Sequence, residues 1–171
     1  MYRPVININR LWQPILSLLL VSSLVACGYH LRGAVTLPPE MQTTWIQGSS
    51  SSSLVRDLRR NLMASKIKVV SEKTEGAATL SITRDTISRR ILSIGSDGKA
   101  REFMLLYEVD YQLKGADGKP VHDLQKVRLQ RSYLYDPNDV LAAGQEDATL
   151  RREMVRDMAG LILRRLSAQA S

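Results

Sequence analysis

The stretch REFMLLYEVDYQLK, residues 101–114, decides the fold of this chain. Every second residue from Phe103 to Leu113 is apolar or aromatic, so these side chains share one face of an extended backbone. The opposite face is polar except at Met104 and Leu106. This alternation predicts a long strand with one buried face, which is typical of an antiparallel sheet.

Turn signals on both sides connect this strand to two neighbours. Asp97-Gly98 precedes it and Asp117-Gly118 follows it, and Asp-Gly is among the strongest short hairpin signals. Strand-like runs extend over 78–94 and about 121–135. The sequence therefore predicts an antiparallel meander of three strands.

The pairing register follows from the turn lengths. A two-residue loop at the first turn would pair Leu92 with Phe103 and keep the apolar faces together. The same loop at the second turn would set Val109 opposite Lys126 and mix the faces. We therefore predict an odd-length loop or a bulge near Asp117 or just after it.

Two amphipathic helices complete the predicted fold. One carries Leu54, Leu58 and Leu62 after a serine-rich loop, with Ser53 as its N-cap. The other begins at DPND, residues 136–139, with an interruption near Gly144. Its apolar stripe comprises Leu150, Met154, Met158, Leu161, Ile162 and Leu166. TTWIQ, residues 43–47, supplies another strand, and IKVV, residues 67–70, is a further short candidate. We expect an α+β two-layer sandwich, with two helices packed on one face of a mostly antiparallel four-stranded sheet.

The N-terminus has the pattern of an export signal rather than of the fold. Arg3 and Arg10 precede an apolar run of twelve residues, 15–26, which is short of the about 20 that span a bilayer. LVAC, residues 24–27, resembles a bacterial lipobox, which implies cleavage before Cys27, its lipidation and acylation of the new amine. Gly28 follows in place of Asp, and this implies sorting to the outer membrane. A plain signal peptide with a chance or buried cysteine is the alternative.

These signals divide the chain into four predicted parts. Residues 1–26 are a lipoprotein signal peptide that is removed, and 27–42 are a lipidated N-terminal tether. Residues 43–168 form a single α+β domain, and 169–171 are a tail.

The chain has too few cysteines and histidines for the common catalytic and metal-binding sites. Cys27 is the sole cysteine and His30 and His122 the sole histidines, so no disulfide, metal-ligand or nucleophile grouping can be recognised. We therefore expect that the protein is not an enzyme. We also expect that it has no cofactor other than the covalent lipid on Cys27. The net charge of +7 favours anionic partners, but export argues against nucleic acid.

The predicted register suggests two surfaces near the first turn. Ile87, Ile91, Met104 and Leu106 would form an apolar cluster on the outer sheet face, which favours contact with a partner. The alternative is scattered surface apolar residues. Arg89, Arg90, Lys99 and Arg101 would surround the turn and could bind the phosphates of an anionic lipid, unless they are simply solvated. Lys126, Arg128 and Arg131 are a weaker second candidate.

Two motifs carry a family resemblance. CGYHLRG, residues 27–33, and RSYLYDPNDVLA, residues 131–142, together with the basic strand pair and the final helix, resemble the LptE family of LPS-assembly lipoproteins. Members can carry a basic residue after the DP helix start, whereas VLAAGQED, residues 140–147, has none, so the first hairpin is left as the candidate for lipopolysaccharide contact.

The resemblance implies a non-enzymatic lipoprotein on the periplasmic side of the outer membrane, held in the membrane lipid by its acyl anchor. It would bind lipopolysaccharide, help to assemble the β-barrel LPS translocon LptD and plug that barrel. The main alternative is an independent periplasm-facing lipoprotein that binds anionic ligands without a barrel partner. A lipid- or glycan-modifying enzyme is a distant third.

Overall fold

The computed structural model describes residues 37–169. The predicted signal peptide, the lipidation site Cys27, His30 and the first part of the predicted tether lie outside the described residues. The last part of that tether is packed, because Leu37 and Met41 are buried in the core. The packed domain therefore begins before the predicted boundary at Thr43.

Seven helices and strands follow a short 3₁₀ turn at Pro39–Gln42. In chain order they are β1 (Thr43–Gln47), α1 (Ser53–Ala64), β2 (Lys68–Val70), β3 (Ala78–Ile94), β4 (Ala100–Lys114), β5 (Gln125–Leu134) and α2 (Val140–Ala168).

The strands form one five-stranded mixed sheet in the order β2-β1-β3-β4-β5. Strand β1 is parallel to both of its neighbours, and β3, β4 and β5 form the predicted antiparallel meander. The α+β class with two helices is confirmed, but the prediction of four mostly antiparallel strands is wrong in detail. The difference arises because the chain crosses over through α1 and adds the short strand β2 beside β1.

The first hairpin turn is longer than predicted. The amide of Gly95 donates to the carbonyl of Lys99 at 2.8 Å, which closes a three-residue loop. Gly98, with φ +75°, is the residue of this loop in the left-handed conformation. Ile91, not Leu92, therefore lies opposite Phe103. Between Arg84 and Ile91 this shift by one residue exchanges the two faces of β3 relative to the prediction, and a register irregularity between Ile82 and Arg84 returns Leu80 and Ile82 to the predicted core face.

The second turn has the same form and confirms the predicted irregularity. The amide of Gly115 donates to the carbonyl of Lys119 at 2.9 Å, and Gly118 has φ +77°. The pairing then changes register before β5, so Val109 lies opposite Val127 rather than Lys126. The apolar face of β4 thus continues into β5.

Both helix starts differ from the predictions by a few residues. Ser52 rather than Ser53 caps α1, and its hydroxyl accepts from the amide of Val55 at 3.2 Å. Asp139 caps α2, whose first helical residue is Val140. The helix runs through Gly144 without the predicted interruption, because a single glycine inside a long helix costs only about 1 kcal/mol.

The core lies between the helices and one face of the sheet. Both predicted helix stripes pack into the core, with Leu150 and Leu161 only partly buried, and the aromatic residues of β4 pack beneath them. The largest fully buried side chains of the core are Tyr107, Tyr111, Met41, Leu54, Leu58, Leu62, Leu80, Leu105, Leu113, Met154, Met158 and Ile162.

Within residues 37–169, neither helix has the length and apolar content that crossing a membrane would require.

Candidate functional site

Exposed apolar side chains are concentrated at one end of the sheet. Six of the eight large apolar residues exposed within residues 37–169 lie there, and we call them the apolar tip: Ile91, Leu92, Ile94, Leu134, Val140 and Leu141. Leu134 is 81% exposed and Leu141 75% exposed. A concentration of exposed apolar side chains at one end is typical of a surface that contacts another molecule.

The strand register and the start of α2 bring the apolar tip together. Ile91 lies opposite Phe103, which lies opposite Tyr133 on the other side of β4. Leu134 directly follows Tyr133 and is the last residue of β5, and α2 begins at Val140 beside these aromatic residues. The ends of three strands and the first turn of a helix thus meet at one end of the domain, with Ile91 on the helix side of the sheet and Leu134 on the outer side.

An aromatic hollow of about 210 Å³ lies within this end of the domain. The Phe103 ring is 5.1 Å from the Tyr135 ring in an edge-to-face arrangement and 5.8 Å from the Tyr133 ring. The Arg89 guanidinium lies 4.6 Å from the centre of the Phe103 ring. The hollow therefore combines aromatic faces with a positive charge.

Hydrogen bonds to Asp147 hold the Tyr133 side of the aromatic hollow in place. The Tyr133 hydroxyl donates to Asp147 at 3.0 Å, and Arg151 donates at 2.5 Å. Burial alone would raise the pKa of Asp147, but these two hydrogen bonds outweigh it and hold the pKa below its usual value. Asp147 thus remains a carboxylate and keeps the Tyr133 ring in place.

The structure brings the four predicted lipopolysaccharide-binding residues to this end but not onto one face. Arg89 shares the helix side of the sheet with Leu105, whereas Arg90 lies opposite Met104 on the outer face. Arg101, the second residue of β4, is paired with Asp97 of the first turn at 2.9 Å, so its charge is partly compensated.

The predicted apolar partner face does not form. Ile87 lies opposite Tyr107 and Ile91 opposite Phe103, which places both on the helix side. Met104 and Leu106 lie on the outer face. The prediction of one cluster is wrong because the three-residue first turn shifts β3 by one position.

The outer face is instead crossed by ion pairs. Glu108 accepts from Arg84 at 2.7 Å and from Arg128 at 2.9 Å, which joins three adjacent strands. Arg131, on the helix side of β5, is paired with Asp157 at 3.0 Å. Two of the three residues of the weaker basic candidate are therefore compensated, which leaves Lys126.

Sequence reasoning missed the contributions of β5 and α2 to the site. Leu134 lies between two tyrosines, and strand alternation places it on the face opposite Tyr133. Val140 and Leu141 directly follow the helix cap and lie outside the buried stripe of α2. Apolar residues outside the core pattern were the signal that could have revealed them.

Comparison with known proteins gives one family. The model of the LptE family, described as lipopolysaccharide-assembly, matches residues 35–166. The LPS-assembly lipoprotein LptE of Photorhabdus laumondii is 30% identical over 141 residues, covering 82% of this chain and 76% of the relative. The LptE of Pectobacterium atrosepticum is 28% identical over 160 residues, covering 92% and 85%.

Solved structures agree with this family in fold. The uncharacterized lipoprotein B of Nitrosomonas europaea matches with a TM-score of 0.69 and 32% identity, covering 82% of this chain and 91% of that one. The rare lipoprotein B of Shewanella oneidensis matches with a TM-score of 0.65 and 25% identity, covering 74% and 93%.

The family resemblance drawn from the sequence is confirmed, and with it the expectation of a lipoprotein that is not an enzyme. The family model covers most of the chain, and the Photorhabdus laumondii relative is matched over three quarters of its length. The chain belongs to the LptE family of lipopolysaccharide-assembly lipoproteins.

Proposed function

We propose that this chain is an outer-membrane lipoprotein that binds lipopolysaccharide, helps to assemble the β-barrel translocon LptD and plugs that barrel. The covalent lipid on Cys27 holds it on the periplasmic side of the membrane. Family membership supports the role in lipopolysaccharide assembly, and the lipobox LVAC supports the anchor.

One observation carries the proposed lipopolysaccharide contact: the apolar tip and the basic residues of the first hairpin lie at the same end. Lipopolysaccharide combines acyl chains with phosphate groups. The exposed Leu134 and Leu141 suit the acyl chains, and Arg90 and Lys99 suit the phosphates. The aromatic hollow beside Arg89 adds ring faces on which sugars can pack.

The proposed plug role draws on the outer sheet face. The lumen of a large membrane barrel is polar, so a domain inside it needs a polar surface. The outer face supplies one through the ion pairs of Glu108 with Arg84 and Arg128. Membership of the LptE family supports LptD as the barrel that this polar face would line.

Charge reversal at the first hairpin tests the lipopolysaccharide contact. The test variant replaces Arg89, Arg90, Lys99 and Arg101 with Glu. The control replaces Lys68, Lys73, Lys114 and Lys119, at the opposite end of the sheet, and changes the net charge equally. We expect the test variant to bind lipopolysaccharide at least about tenfold more weakly, with a larger loss at low salt, and the control to bind like wild type. Equal binding by both variants would remove the hairpin from the site.

Co-purification tests the barrel partner. The full chain with a C-terminal tag is extracted in mild detergent, and the proteins that remain bound are identified by mass spectrometry. We expect a barrel protein in stoichiometric amount. Recovery of the chain alone, still able to bind lipopolysaccharide, would favour the independent lipoprotein that binds anionic ligands.

The intact mass of the purified chain tests the anchor. Cleavage before Cys27 and acylation predict a chain that begins at residue 27 and carries added lipid mass. A Cys27→Ser variant should lack that mass and leave the membrane fraction. An unmodified cysteine in the wild-type chain would refute the anchor.

A further inference from the structure

A groove of about 580 Å³ separates α1 from α2 and shares no lining residue with the aromatic hollow. Five arginines line it: Arg56, Arg60, Arg151, Arg152 and Arg156. Asp57 is the one carboxylate among its lining residues, and lysine is not represented there. The groove is therefore strongly positive, and all of its positive charge comes from guanidinium groups.

Three of these arginines are uncompensated. Asp57 pairs with Arg60, and Asp147 pairs with Arg151 at 2.5 Å. By contrast, Arg56, Arg152 and Arg156 have no carboxylate within 4.0 Å among the residues that the structure describes.

Neutral groups hold two of the uncompensated arginines in position. Arg56 donates to the carbonyl of Ser51 at 2.7 Å and to the hydroxyl of Ser53 at 2.8 Å. Arg152 donates to the hydroxyl of Thr149 at 3.0 Å. These acceptors orient the guanidinium groups without cancelling their charge, so less conformational entropy is lost when an anion binds.

The spacing of the arginines adds a second argument. Arg56 and Arg60 are four residues apart on α1, and Arg152 and Arg156 are four residues apart on α2. Like charges at this spacing repel and destabilise a helix. Asp57 offsets this repulsion at Arg60, whereas no ion pair among the described residues offsets it at Arg152 and Arg156, and an anion bound in the groove would do so.

We propose that this groove is a phosphate-binding site, separate from the first hairpin, for a ligand that carries more than one phosphate. The planar guanidinium fork donates two parallel hydrogen bonds to a phosphate, and each phosphate carries more charge and more acceptor oxygens than a carboxylate. Ile87 and Val155 give the groove partly buried apolar walls, which suit a phosphorylated glycolipid better than a free anion. Only this choice of a glycolipid rests on the proposed function.

The test uses two matched triple variants of the full chain in detergent. The groove variant carries Arg56→Gln, Arg152→Gln and Arg156→Gln. The control variant carries Arg59→Gln, Arg164→Gln and Arg165→Gln, which removes the same charge from the same two helices outside the groove. The probes are inorganic tripolyphosphate, lipopolysaccharide, dephosphorylated lipopolysaccharide and an oligo-glutamate peptide, each titrated by calorimetry.

We expect the groove variant, and not the control, to bind lipopolysaccharide about tenfold more weakly or worse. Tripolyphosphate should compete with lipopolysaccharide at the groove, and dephosphorylation should abolish the difference between wild type and the groove variant. If tripolyphosphate binding depends on the groove but lipopolysaccharide binding does not, the phosphate site stands and its ligand is a free oligophosphate.

Two results would overturn the phosphate site. One is equal binding of both phosphorylated probes by the groove and control variants. The other is groove-dependent binding of the oligo-glutamate peptide alone, which would assign the groove to an acidic protein segment. Neither result would contradict the proposed function, because the charge reversal at the first hairpin tests the proposed function separately.

Discussion

Tyr107 donates a 2.8 Å hydrogen bond from its fully buried ring to the carboxylate of Asp85. The same carboxylate accepts a 2.5 Å hydrogen bond from Ser52, the N-cap of α1. Asp85 therefore ties the start of α1 to the two longest strands, β3 and β4. Since this contact also holds one wall of the arginine groove, it links the core to a proposed binding surface.

Removing the Tyr107 hydroxyl should weaken the fold. Tyr107→Phe leaves the ring in the core but deletes the donor to Asp85, and a hydrogen bond to a charged acceptor contributes about 1.5–3 kcal/mol to the free energy of unfolding. We expect a loss of that size, measured by urea denaturation at neutral pH.

Tyr111 provides a matched control on the same strand. Its hydroxyl is buried and has no hydrogen-bond partner among residues 37–169. Because Tyr111→Phe removes a buried polar group without breaking a hydrogen bond, it should leave stability unchanged or raise it. Equal losses for the two variants would contradict the assigned role of Asp85.

Alkaline pH should destabilise the domain through the same tyrosine. Burial, together with the hydrogen bond to Asp85, raises the pKa of Tyr107 above its ordinary value of 10.0. A pKa raised on folding contributes stability that is complete below the unfolded pKa and is lost as pH rises above it. The free energy of unfolding should therefore fall above pH 10, less steeply in Tyr107→Phe. Urea midpoints measured across this range check it, and parallel curves for both proteins would contradict it.

Asp147 should contribute stability at neutral pH and lose it in acid. Its pKa is lowered on folding, so its contribution is present above the ordinary value of 3.8 and disappears as pH falls below it. Asp147→Asn should cost about 1 kcal/mol at pH 7 and much less near pH 2. Urea denaturation at both pH values measures the difference.

Asp157→Asn is the comparison for Asp147. Asp157 pairs with Arg131 at 3.0 Å, but about half of each side chain is exposed. Exposed pairs contribute little, so this change should cost less than about 0.5 kcal/mol. If it cost as much as Asp147→Asn, the enclosed position of Asp147 would have no special importance.

Three glycines should respond to alanine with opposite signs. Gly98 and Gly118 have φ near +75°, where alanine is strained, so each Gly→Ala change should cost about 1 kcal/mol or more. Gly144 lies inside α2 with nothing within 4 Å of an added Cβ, so Gly144→Ala should stabilise by about 0.5–1 kcal/mol. Thermal unfolding distinguishes these outcomes, and stabilisation by Gly98→Ala would contradict the turn geometry.

Strand β4 and both helix stripes could be predicted because their hydrophobic periods are long and agree with burial. The three-residue strand β2 is too short for its sequence pattern to identify it as a strand, and its pairing with β1 depends on tertiary structure. The fifth strand could therefore only be suspected from the sequence.

The sequence could predict where along the chain the candidate site lies, but not on which side of the sheet its residues lie. Asp-Gly occurs in two-residue and three-residue hairpin loops, and the two differ by one position in register. That single position moves Ile87 and Ile91 from the outer face to the helix side. The basic residues around the first turn could therefore be located along the chain, while Leu134 and Leu141 became recognisable only once the strand ends were placed beside α2.

The apolar tip should matter for ligand binding and not for folding. Leu134→Ser and Leu141→Ser remove side chains that are 81% and 75% exposed, so the double variant should unfold within about 0.5 kcal/mol of wild type. Lipopolysaccharide binding should weaken several-fold, because exposed apolar area is lost where the acyl chains are proposed to lie. Met63→Ser is the control, since Met63 is 61% exposed but lies at the end of α1, away from the tip. Calorimetric titration compares the three proteins, and unchanged binding by the double variant would exclude the apolar tip from the lipopolysaccharide site.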